Sequence, residues 1–150
     1  MASYQIGEQE AHDQIELFCE WYGIDLDEKS GVAEEEGLVG YALTRNALVK
    51  AFRKGRLEVA MREDKKGGET IEVIQHLAHP LQGGEMSTIT YYEITGATKA
   101  NVKVSKNATE TMAMWAALAV ASKEPVEVFK SLRGADIGVA QLFGFLFLQI

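Results

Sequence analysis

Three features of this chain predict an α+β domain. Apolar residues recur at helical spacing over 8–22, 44–54 and 107–148, while 57–95 alternates with period two between Gly-rich breaks. The length of 150 residues fits one domain with a sizeable core. The expected architecture is an antiparallel meander of three to four strands, with N-terminal helices and a C-terminal helical cluster. One domain then divides into an acidic helix and loop over 1–40, a helix with strands over 41–106, and helices over 107–150.

Glu8 to Tyr22 is predicted to be a helix with Ile15, Phe18, Cys19 and Tyr22 on its inner face and Gly23 as its stop. Cys19 falls on that apolar face, so a buried thiol is expected rather than a nucleophile. It is the single cysteine, which excludes an intramolecular disulfide. The stretch from Gly23 to Gly40 is expected to be an acidic loop. Asp25 and Asp27 keep only the first spacing of a calcium loop, and no glutamate closes it at the twelfth position. No metal site is expected there.

Thr44 to Lys54 is predicted to be helical, capped by Thr44, with Leu48, Ala51 and Phe52 inward and Lys50, Arg53 and Lys54 suited to the C-terminal dipole. Leu57, Val59 and Met61 then alternate with Glu58, Ala60 and Arg62, as in a strand with one wet face. Thr70 to Leu77 is the expected return strand, and Ser87 to Thr95 is the clearest strand by its β-branched and aromatic content. Ala100 to Val104 is a candidate fourth strand. The pairs Gly67-Gly68 and Gly83-Gly84 fall in the turns, where positive φ is expected. His76 and His79 lie three apart at a strand end, short of any zinc pattern.

Asn107 is expected to open the next helix through the capping box N-A-T-E, with Met112, Trp115, Ala116 and Ala119 inward. Pro125 is expected to begin a short helix through Leu132, closed by Gly134. Asp136 is the expected N-cap of the last helix. That helix carries Ile137, Val139, Ala140, Leu142, Phe143, Leu146 and Phe147 on one stripe, with Phe145 and Leu148 off it, so it is apolar nearly all round. Gly138 and Gly144 lie inside it, as close-packing points or bends. At about 1.5 Å per residue its ~14 residues reach about 21 Å, short of the roughly 30 Å of a hydrocarbon core. No membrane span is expected. The helix is therefore either a core element or one covered by a partner.

Charge is unevenly placed within a net of −7. Residues 1–40 hold eleven acids and one lysine, 41–66 hold eight bases and three acids, and 67–150 hold six bases and eight acids. Overall acidity argues against general nucleic-acid binding. A DNA-binding regulator would have to use Arg45, Lys50, Arg53, Lys54 and Arg56, yet no second helix precedes them at helix-turn-helix distance. Neither a phosphate-binding glycine motif nor a nucleophile elbow is present, and no cofactor or enzymatic activity is expected. The N-terminus has no basic segment followed by an apolar one, so a cytoplasmic protein is expected.

The segments Leu77-Ala78-His79-Pro80, Ile89-Thr90-Tyr91-Tyr92-Glu93, and Val126 through Asp136 running into Leu142 and Phe143 carry a resemblance. Over about residues 75–148 the chain resembles the Mu-like tail assembly chaperones of tailed bacteriophages. That family has a proline-containing turn, a strand, then two or three helices with a Leu-x-x-x-Asp step before a hydrophobic last helix. An Arg and an Asp common after the Tyr91-like strand are replaced here by Ile94-Thr95-Gly96-Ala97-Thr98, and the first 70 or so residues have no counterpart. The resemblance implies a non-enzymatic tail assembly factor of the host cytoplasm that keeps a helical partner, the tape-measure protein, soluble. Val139, Leu142, Phe143, Leu146 and Phe147 are then the expected contact residues, and replacing Phe143 and Phe147 with Asp is expected to abolish binding but not folding. The competing expectation is a self-associating structural subunit of a virion or tail.

Overall fold

The computed structural model describes residues 5–24, 41–148 and 150, the side chains of 41–44 and 148 aside. The expected acidic loop, with Asp25, Asp27 and Glu34 to Glu36, lies outside the described residues.

Helix α1 (Glu8–Tyr22) forms where the periodicity predicts it and ends at Gly23, whose φ of 69° releases the chain. Ala11, Ile15, Phe18 and Cys19 make its buried face. Helix α2 (Tyr41–Arg53) begins three residues before the expected cap, so Thr44 lies within it. Strands β1 (Leu57–Glu63), β2 (Glu69–Leu81) and β3 (Met86–Tyr91) form one antiparallel sheet in the order β1-β2-β3. Leu57 pairs with Gln75 and Val59 with Val73 on one side, and Val73 with Tyr91 and Gln75 with Ile89 on the other. That register places Leu57, Ile71, Val73, Gln75, Ile89 and Tyr91 on one buried face. The other face carries the pairs Arg62–Glu72 and His76–Glu58. At the outer edge of β1, the Val59 amide donates to Gln14 Oε1 of α1 at 2.9 Å, so a helix side chain blunts that edge.

Two strands differ from expectation. β2 runs four residues past Leu77, through Pro80 to Leu81, with its register against β3 shifted between His76 and Leu81. β3 stops at Tyr91 because the Tyr92 amide donates to the Ala121 carbonyl at 2.9 Å instead of to β2. The candidate fourth strand is replaced by a short helix α3 (Gly96–Ala100). Thr95 and Thr98 form a reciprocal capping box that starts a helical turn where the β-rich composition suggested extension. Of the turn glycines, Gly67, Gly83 and Gly84 take positive φ, whereas Gly68 does not and instead sits against the Asp64 carboxylate.

Helix α4 (Glu110–Ser122) is capped two residues later than expected, by the Thr109 hydroxyl accepting from the Met112 amide at 3.2 Å. Trp115, Ala117, Leu118 and Ala121 face inward, while Met112 turns outward. Pro125 precedes α5 (Val126–Lys130) as its N-cap, and α6 (Ala135–Leu148) completes the fold. α1 packs on β1, α6 on β2 and α4 on β3, with α2 beside α1 and α6.

The core is threaded by aromatic rings. Phe143 of α6 stacks on Tyr91 at 4.3 Å and meets Phe18 edge-on at 5.9 Å; Phe129 lies 6.3 Å from Tyr91 and 5.9 Å from Trp115. Such pairs add about 0.5–1.5 kcal/mol each beyond their buried area. The ring-bearing face of α6 is thus covered by its own chain.

Candidate protein-binding site

Four of the five expected contact residues are core residues. Phe143 and Phe147 are each 2% exposed, Leu146 5% and Val139 8%. This corrects the expectation that they form a waiting surface: reaching Phe143, Leu146 and Phe147 would require opening the domain, while Val139 shows only an edge to a groove. Leu142 alone is half-buried, and it borders a groove.

That groove, about 390 Å³, runs between α2 and α6. Its floor is Ala47 and Ala51 of α2 with Ala135, Gly138, Val139 and Leu142 of α6; Lys50, Lys54 and Arg56 stand around it. Ala47 and Ala51 are one turn apart, as are Ala135 and Gly138, so small residues of both helices line an open groove between them. Added atoms at the Gly138 Cβ position would meet nothing within 4 Å. Among the described residues no acid lines the groove, and Lys50, Lys54 and Arg56 make no ion pair. The surface can take an apolar strip and hold negative charge beside it. α2 also forms a second groove, about 550 Å³, with the start of α1, and Lys50 and Lys54 line both.

Asp136 sets the floor's position. It does not cap its own helix. Its carboxylate is fully buried and accepts from the consecutive amides of Ala78 and His79 at 2.8 and 2.9 Å. Successive amides of a regular strand point to opposite edges, so the shifted register of β2 is what lets both reach one carboxylate. The Asp136 carbonyl accepts from Gln75 Nε2 at 3.0 Å, and Gln75 Oε1 accepts from the Tyr91 hydroxyl at 2.7 Å. Burial, then the negative charge of Asp136, push the Tyr91 hydroxyl far above the usual tyrosine range. The turn into α6 uses Gly134 at φ 58°, where a Cβ would lie 3.1 Å from His79 Nε2. The first turn of α6 is thereby pinned to β2 at a fixed height over α2.

The remaining candidates disperse. Arg45 bonds to Glu16 at 2.6 Å and reaches His12 at 3.4 Å, so one of the five cations of the DNA-binding reading is engaged by an acid of α1. His76 Nε2 lies 2.8 Å from Glu58 Oε1, whereas the His79 ring sits over Gly134. Among the described residues, no three His, Cys, Asp or Glu side chains converge to hold a metal, and no helix is long and apolar enough to cross a membrane. Cys19 is buried, as the periodicity predicts.

Sequence reasoning missed the groove because it joins α2 to a helix some 90 residues away. The small residues at 47, 51, 135 and 138 were its only local trace. No protein-family model, curated protein or solved structure matches this chain.

Proposed function

We propose that this chain is a non-enzymatic assembly factor that holds a helical protein partner, and that the partner is of the tape-measure kind in a bacteriophage or prophage tail. The supporting observation is the α2/α6 groove, whose small-residue floor ends at Leu142 and admits a further helix beside two existing ones. The resemblance over residues 75–148 supplies the biological setting, the bacterial cytoplasm. Its Leu-x-x-x-Asp step is Leu132 to Asp136, and Asp136 is the residue that seats α6. Leu142 is the contact residue retained from the five expected. Val139, also on the groove floor, supports it from the core side.

Co-expression with a long helical protein of the tape-measure kind is expected to keep that protein soluble, in a complex that survives gel filtration. A partner equally soluble without this chain, or bound as well by Leu142→Asp, would sink the proposal. A self-associating structural subunit is the second reading. It is favoured by a groove of about 350 Å³ along α4, lined by Trp115, Ala116, Ala119 and Val120, with Met112 and Val104 nearly half exposed. A defined oligomer whose mass does not change on dilution, with no other protein bound, would favour that reading.

A further inference from the structure

We infer that the occupant of the α2/α6 groove is an amphipathic helix flanked by acidic residues, selected by Lys50, Lys54 and Arg56. This rests on the helix-binding reading above and adds the chemistry of the partner.

Lys50 lies in the last turn of α2 and Lys54 just past it, one turn or about 6 Å on, with the Lys54 amide donating to the Lys50 carbonyl at 3.0 Å. Arg56 follows just past the helix, and its carbonyl accepts from the His76 amide at 2.8 Å. Asp136 holds Ala78 and His79, two and three residues further along β2, so Arg56 and the start of α6 share one end of the groove. The cations therefore run along the channel. The stretch from Ala135 to Leu142 advances about 10 Å at ~1.5 Å per residue, which matches about two turns of an incoming helix. Apolar side chains at i, i+3 or i+4 and i+7 would meet Gly138, Leu142 and the alanines. Carboxylates on the flank, again one turn apart, would meet the lysines. The protein carries its three groove cations without ion pairs among the described residues, although its net charge is −7. The apolar floor offers bases no hydrogen-bond partner, so a nucleic acid would leave it unused. An acid-flanked helix satisfies both the floor and the rim.

The test uses the full chain and two labelled helical peptides of about 18 residues, long enough to hold a helix. Both carry leucines at i, i+3 and i+7; one is flanked by glutamates and the other by lysines. Fluorescence anisotropy at low salt is expected to show the glutamate peptide binding at least ~10-fold tighter, with the preference shrinking as salt screens it. Lys50→Glu with Lys54→Glu should reverse the preference, and Gly138→Trp should weaken binding of either peptide by filling the floor. Equal binding of the two peptides, still blocked by Gly138→Trp, would overturn the charge selection but leave helix binding intact. Binding of neither peptide, or binding indifferent to Gly138→Trp, would remove the helix-binding reading itself. Dimerisation of the chain that Gly138→Trp abolishes would assign the groove to a second copy and overturn the inference.

Discussion

Gly138 and Gly144 sit in the same helix and are expected to answer oppositely to alanine. A methyl at Gly138 enters open space, so Gly138→Ala should gain the helix propensity of about 1 kcal/mol. A methyl at Gly144 would lie 2.5 Å from Met114 Cγ and 2.7 Å from its sulfur, where α4 crosses α6. Inserting an atom into a packed core costs about 1–3 kcal/mol, which outweighs the propensity gain. Gly144→Ala should therefore lower the denaturant midpoint while Gly138→Ala raises it. Equal shifts in the two variants would show that α4 and α6 do not approach so closely. Glycine at 144 is a packing residue, and glycine at 138 leaves room for something outside.

At the scale of the element, α6 is held by charge at its start and by rings along its length. Asp136→Asn keeps the shape but leaves one oxygen to serve two amides, and sets an amide N–H group against a backbone donor. Bonds to an ionised acceptor are worth about 1.5–3 kcal/mol each, so the loss should be on the order of 3 kcal/mol. Faster hydrogen exchange at the Ala78 and His79 amides would locate the damage. Unchanged exchange there would mean that the carboxylate is not their acceptor in solution. Phe143→Asp puts an unpaired charge between Tyr91 and Phe18 and should unfold a domain of ordinary stability. Leu142→Asp, one residue before it and half-buried, should stay folded. Binding studies therefore need Leu142 and Gly138 variants, because removing α6 or charging its rings removes the core.

For the whole molecule, two of the five tyrosines tie distant elements together and make stability sensitive to alkali. The Ile94 amide donates to the Tyr22 hydroxyl at 2.8 Å. Burial chiefly, against that hydrogen bond and helped by the charge of Glu93, pushes the Tyr22 pKa up to about 12. The buried Tyr91 is raised further. A folded-state pKa above the unfolded value of about 10 means that the folded chain keeps a proton the unfolded chain releases. The associated stability is complete below pH ~10 and falls as pH rises through about 12 and beyond. In an absorbance titration Tyr22 and Tyr91 should ionise only with loss of the fold. Early ionisation of all five, with the fold intact, would contradict that burial.

Much of this architecture is local and was legible in the residues. The limits of α1 followed from its apolar stripe and Gly23, the alternation of β1 from Leu57, Val59 and Met61, and the burial of Cys19 from its place on that stripe. The apolar character of 135–148 likewise determined that α6 must be covered. What covers it was a tertiary matter. Periodicity shows that Phe143 avoids water but not whether Tyr91 or another protein shields it, because helical spacing is the same for a core face and an interface. Asp136 read as a cap because capping is the short-range option for a carboxylate at a helix start. Only the shifted register of β2 brought two closer amides to it from nearly 60 residues away. The groove arises from the crossing of α2 and α6, which no window of sequence contains. Local periodicity thus determined the elements and their apolar faces, while long-range packing decided which of those faces were consumed by the fold and which was left open.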